Sequence, residues 1–212
     1  PQLTQAYIKN SRGELLRGAI FSSYICFSIT WALVVPIILT TDDILKFWLT
    51  LPIPLATDFI RLALIEVVIH SMTLPLVHVV QATGDVRKYW IIIGLLQITI
   101  IPISLVALVW ESSPQLVYML AILVSILMAL YRIKLVAEIM VVSRSKLIFY
   151  ILTPAILTIL ISAILIGLLL MYVIQSIDYM FLVINFLALL LCVSVSMVVL
   201  LILRQTLRKV SL

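Results

Sequence analysis

The chain has 212 residues, 65% of them hydrophobic and only 11% charged, with a formal net charge of +5 and a mean hydropathy of +1.32. Soluble domains are near 45–50% apolar and about 25% charged, so a water-soluble fold of this length could not hide the surplus. The composition requires an integral membrane protein and excludes a nucleic-acid partner as the reason for the basic balance.

The chain begins at Pro1 without a methionine, and no signal peptide precedes the first apolar run. We therefore expect a piece of a longer protein. Ser11 and Glu14 have the spacing of a capping box just before that run, weakened by Gly13. A membrane helix needs roughly 20 apolar residues. Six windows meet that length, at 17–40, 57–82, 88–110, 114–138, 147–174 and 179–203. They are too long for barrel strands and lack period-two alternation, so the expected fold is all-α with six transmembrane helices in a single domain.

Basic residues order these spans. One set of connecting segments and span ends carries Lys9, Arg12, Arg17, Arg87, Lys88, Arg132, Lys134, Arg144, Lys146, Arg204, Arg208 and Lys209. The alternate segments, at 41–56, 111–113 and 175–178, hold only Lys46, with Asp42, Asp43, Glu111 and Asp178. Lys and Arg favour cytoplasmic loops, so both ends of the piece are expected there. The basic tail from Arg204 also suits a surface of anionic lipid. Trp48, Trp110 and Tyr179 fall at the outer boundary; Tyr89, Trp90, Tyr131 and Tyr150 fall at the inner one. Such rings prefer the headgroup level.

Pro36, Pro75, Pro102 and Pro154 lie inside spans, where each removes a helix hydrogen bond. They read as static kinks or as bending points of a carrier. Gln97, Thr99 and Ser104 in the third span could line a polar path or bond to other helices. The last two spans are almost purely aliphatic, with Ala163 and Gly167 as a weak small-xxx-small packing signal. We expect them to face lipid and carry no chemistry. Cys26 and Cys192 sit in apolar runs and read as small hydrophobes. No metal-ligand spacing, phosphate loop or dinucleotide motif occurs, so neither a cofactor nor an enzymatic activity is expected.

The second span is the exception. It carries Asp58, Arg61, Glu66 and His70, and His78 lies nearer its inner end. A charge near the bilayer centre costs about 2.5–3.5 kcal/mol on insertion scales, and intramembrane ionisable groups tend to serve function. Asp58 and Arg61, three apart, can pair on one face. Glu66 and His70, four apart, share another. Arg61 and Glu66 are about 140° apart around the axis and should not pair within the helix. Arg61 is the candidate anion-binding group, its fork suited to phosphate, or else it snorkels to outer headgroups. Glu66 and His70 are the candidate ion-coupling pair, or else a paired structural carboxyl and a buried neutral imidazole.

The order of motifs adds a resemblance. PQLT-x2-Y at 1–7 is followed by DILKFWL at 43–49, P-x3-TDFIRL at 54–62, SMTLPL at 71–76, QATGDVRKYW at 81–90 and PISL at 102–105. Over about residues 1–145 this resembles the C-terminal half of Wzx-type polysaccharide flippases, in the MOP (multidrug/oligosaccharidyl-lipid/polysaccharide) superfamily with its MATE-like two-lobe transporters. The last two spans match only in hydrophobicity. The resemblance implies helices nine to fourteen of a longer carrier, with the N-terminal lobe of the same chain as a partner. It implies an ion-driven carrier moving undecaprenyl-diphosphate-linked sugar units across the bacterial inner membrane for O-antigen or related polysaccharide. It also implies a cationic cavity, which Arg61 fits best; Glu66 and His70 lie outside what it assigns. A multidrug or cation antiporter of the same superfamily is the alternative, with Arg61 against it. A membrane glycosyltransferase or polymerase fits less well, because the 41–56 loop is short and holds only Asp42, Asp43 and Lys46.

Overall fold

The computed structural model describes residues 12–49, 55–84, 86–110, 114–173 and 180–209. Ser11, the PQLT sequence, Asp85, Glu111, Asp178 and Tyr179 lie outside them. Nine helices are described: α1 (Arg12–Leu39), α2 (Thr41–Trp48), α3 (Ala56–Thr73), α4 (Leu76–Ala82), α5 (Arg87–Ile98), α6 (Ile100–Trp110), α7 (Gln115–Met140), α8 (Arg144–Val173) and α9 (Met180–Lys209). No strand occurs among the described residues. Five segments are long and apolar enough to cross a membrane: α1, α5 with α6, α7, α8 and α9. The bent pair α3–α4 makes a sixth. The chain is thus an all-α, multi-pass membrane protein, as its composition requires. Hydrocarbon offers no partner to a backbone amide, so each crossing segment satisfies its own amides as a helix.

The prolines divide into two kinds. Pro75 lies between α3 and α4, whose axes differ by 42°. Its missing N–H leaves the Ser71 carbonyl without its usual bond, and tighter bonds from Val77 to Leu74 and from His78 to Pro75 bridge the bend. Pro102 acts in the same way on the Ile98 carbonyl, and the helix breaks at Thr99. Pro36 and Pro154 instead sit inside continuous helices. There, the hydroxyls of Thr40 and Thr158 donate back to the proline carbonyls at 2.8 and 2.9 Å.

Side-chain pairs fix relative direction. Along α3 and α7, Asp58 meets Gln115, Phe59 meets Tyr118, Glu66 meets Ser125 and His70 meets Arg132. Both numbers rise together, so α3 and α7 run parallel, and the chain must recross through α5 and α6 between them. α1 and α8 are parallel by the same test, through Tyr24 with Thr158 and Trp31 with Ser162. Arg17, Arg87, Lys88, Lys134, Arg144, Lys146 and Arg204 then collect toward one end of the bundle, and Asp42, Asp43 and Asp58 toward the other.

Two helices act as hubs. α1 packs on α3, α4, α8 and α9; α7 packs on α3 through α6 and on α8. The shared core includes Leu15, Ile20 and Phe27 of α1, Leu76 and Val79 of α4, Met128 and Val136 of α7, and Leu203 of α9. α5 and α6 present Trp90, Leu95, Ile98, Ile101 and Leu105 outward. Ala163 and Gly167 also face outward, and a Cβ added at Gly167 would touch nothing. That pair therefore does not pack helices within the described bundle.

Candidate functional site

The polar residues of α3 fall into two groups. At its start, Arg61 Nη2 lies 2.9 Å from Asp42 Oδ2, and Thr57 Oγ1 donates to Asp42 Oδ1 at 2.7 Å. The expected partner, Asp58, instead accepts a long 3.5 Å bond from Gln115 Nε2. The three-residue spacing is overridden because α2 folds back across the start of α3 and brings Asp42 closer. The Asp42 carboxyl is held below its usual range, first by the Thr57 hydroxyl and then by the Arg61 charge. The Arg61 side chain keeps 39% of its surface exposed. This end is open, with Phe47 and Trp48 of α2 projecting outward beside it.

Deeper in α3, Glu66, His70 and Thr73 recur at i, i+4 and i+7, one stripe of a helix. Ser125 and Arg132 of α7 are seven apart and form the facing stripe. Ser125 Oγ donates to Glu66 Oε1 at 2.9 Å. Arg132 is 3% exposed. Its Nη1 donates to Thr73 Oγ1 at 3.1 Å, its Nη2 lies 3.3 Å from His70 Nε2, and its Nε donates to the Tyr89 hydroxyl at 3.1 Å. One guanidinium thus joins α3, α5 and α7. Tyr89 is itself almost fully buried, stacked near Tyr131 and edge-on to Trp90.

Sequence reasoning placed Arg132 with the positive charges of the inner side. The structure corrects this: its guanidinium turns into the bundle. Arg132 lies eight residues before the end of α7, about 12 Å of helix at 1.5 Å per residue. Two signals in the sequence point inward: that depth, and the seven-residue spacing from Ser125. Thr73 and Tyr89 were missed as well, because neither carries a charge.

Glu66 and His70 share a face, as their spacing requires, but they are not bonded to each other; each is held by α7. His78 lies on α4, with Nδ1 3.1 Å from Gln81 Oε1 at an exposed position, apart from this seam. Gln97 and Thr99 face outward, and Ser104 is buried with no partner for its hydroxyl among the described residues. They join no path to Glu66.

The last two spans are more polar than their composition implies. Tyr24 Oη lies 2.7 Å from Thr158 Oγ1 and donates to the Ser196 carbonyl at 3.2 Å. Trp31 Nε1 donates to Ser162 Oγ at 3.0 Å. This second seam contains no formal charge. Cys192 is fully buried beside it and Cys26 partly so, both as free thiols. Among the described residues, no group of three His, Cys, Asp or Glu side chains could hold a metal. Compared with family models, with curated proteins and with solved structures, the chain matches none.

Proposed function

We propose that this chain is part of a membrane carrier that moves undecaprenyl-diphosphate-linked oligosaccharide units across the bacterial inner membrane for surface polysaccharide synthesis. The observation that carries the transport reading is the ionisable seam of Glu66, His70 and Arg132, in a bundle whose other buried polar side chains, among the described residues, are neutral. Arg132 is buried while Glu66 and His70 are half-buried, and burying an ion away from water costs several kcal/mol, roughly, even after relaxation. A carrier needs groups that change charge inside the membrane, which gives such residues a use beyond packing.

The cargo rests on the resemblance of the motif order, and on Arg61. Arg61 is partly exposed at the open end of α3 and, among the described residues, forms an ion pair with the solvent-facing Asp42. A diphosphate offers a guanidinium more negative charge and a better fork than one carboxylate does. In this reading Asp42 is the group that cargo displaces, and Glu66 with His70 couples the movement to an ion gradient. The basic end of the bundle is cytoplasmic, and the N-terminal lobe of the same chain closes the cavity.

The test is complementation of a strain lacking the full-length protein. Arg61→Ala is expected to abolish surface polysaccharide while membrane abundance stays normal. Normal polysaccharide with that variant removes Arg61 from the mechanism. A change in drug susceptibility without any change in glycan replaces the flippase with the multidrug antiporter.

A further inference from the structure

We infer that Arg132 is a positioning residue that holds His70 as a neutral, Nδ1-protonated imidazole and leaves Glu66 as the one group of the seam that exchanges a proton. This deepens the carrier reading and rests on it for its role in transport, but not for its chemistry.

A guanidinium has five N–H donors and no acceptor. At 3.3 Å from Arg132 Nη2, His70 Nε2 can only be the acceptor. Its lone pair is therefore occupied, and the ring proton sits on Nδ1. A second proton would have to displace the Arg132 N–H and set two cations against each other in a site Arg132 cannot easily leave. Arg132 is fixed there by two further bonds, to Thr73 and Tyr89, from two different helices.

Glu66 is differently placed. Ser125 donates to Oε1, and among the described residues Oε2 has no polar partner. A proton can bind at Oε2 without breaking any bond in the seam. With His70 neutral, Glu66 carboxylate and Arg132 guanidinium cancel. Protonation of Glu66 moves the cluster from zero to +1, a charge change inside the membrane with the geometry intact.

The surroundings agree with this division. α7 contributes Ser125 and Arg132, α5 contributes Tyr89 behind Arg132, and α3 itself contributes Thr73. α2 contributes Asp42, which is held by Arg61 and Thr57 at the start of α3. On α1, which also packs on α3, the described ionisable side chains are Glu14, Arg17, Tyr24 and Cys26. Among the described residues, Arg132 is bonded to the His70 ring, and Glu66 lies one helical turn away on the same face of α3.

The experiment follows the histidine nitrogens directly. The protein is labelled with 15N-histidine, placed in lipid nanodiscs and carries His78→Gln, so that one imidazole remains. From about pH 8 to about pH 5, the interval in which histidine ordinarily changes charge, His70 is expected to keep the signals of the neutral Nδ1–H tautomer. In parallel, infrared difference spectra are expected to contain, among the bands of the nine Asp and Glu side chains, one carboxyl band that appears on acidification and is missing from Glu66→Gln. Arg132→Gln is expected to remove the cation and the N–H that hold Nε2, so that His70 takes up a second proton more readily than in the parent protein. A His70 that titrates with Arg132 in place overturns the inference without the need for any seam variant to fold. So do acid-induced carboxyl bands that are the same in the parent protein and in Glu66→Gln. Failure of the complementation test with these spectra as expected would remove the cargo and leave the assignment of the proton.

Discussion

The bundle contains two polar seams, and they differ in what they ask of the membrane. Between α1, α8 and α9, Tyr24, Thr158, Ser196, Trp31 and Ser162 meet through neutral hydroxyl, indole and carbonyl groups. Between α3, α5 and α7, Glu66, His70, Thr73, Tyr89, Ser125 and Arg132 meet around a buried guanidinium. Hydroxyls can satisfy themselves on their own helix, as Thr158 does with the Pro154 carbonyl. Their cross-helix bonds therefore add little. A guanidinium carries five N–H donors on a rigid fork, more than one helix can meet with acceptors. It forces three helices to a common point. The neutral seam gives fit; the ionisable seam gives obligation.

The largest expected effect comes from breaking the obligation. Arg132→Ala removes three side-chain bonds, and interhelical bonds in membranes average about 0.6 kcal/mol and reach about 1.7. A loss of roughly 2–4 kcal/mol in a detergent unfolding titration is expected for the three together. Equal losses from Arg132→Ala and Thr158→Val would erase the distinction between the seams. Next is Glu66→Gln, which keeps the bond to Ser125. Its stability should stay within about 1 kcal/mol of wild type, while pH-dependent transport in proteoliposomes is lost. A transport rate with wild-type pH dependence would remove Glu66 from coupling. On the neutral side, Tyr24→Phe should cost only about 0.6 kcal/mol and leave transport unchanged.

The smallest effect lies outside both seams. Asp42 is held below its ordinary value, so its tie to Thr57 and Arg61 is fully present above the unfolded carboxylate value, about 3.9. That tie is lost as pH falls through the lower folded value. The hydrogen exchange of α2 amides should therefore rise only in strong acid, and Asp42→Asn should remove that dependence.

Much of this organisation was legible in the sequence. The apolar runs and their lengths determine an all-α membrane fold because hydrocarbon leaves the backbone no alternative. The i, i+4 relation of Glu66 and His70 placed them on one face. What was not legible depends on packing between helices. Arg61 took Asp42, not Asp58, because a short helix folds back over it, and no local spacing encodes that. Arg132 was grouped with the inner positive charges, since a lone Arg near a helix end ordinarily reaches outward. Only the approach of Thr73 and Tyr89 from other helices turns it inward. The hydroxyls of α8 looked incidental for the same reason: their partners, Tyr24 and Trp31, lie more than 130 positions away, with separations of 134 and 131.

The position of Arg132 along the chain has a consequence for biogenesis. His70, Thr73 and Tyr89 all precede it, so a ribosome delivers all three to the membrane before α7 emerges. The arginine enters a bilayer where its receptors already wait, and it never has to be held in lipid alone. Shuffling the order of these segments would leave the finished contacts unchanged on paper, yet strand a naked cation partway through insertion.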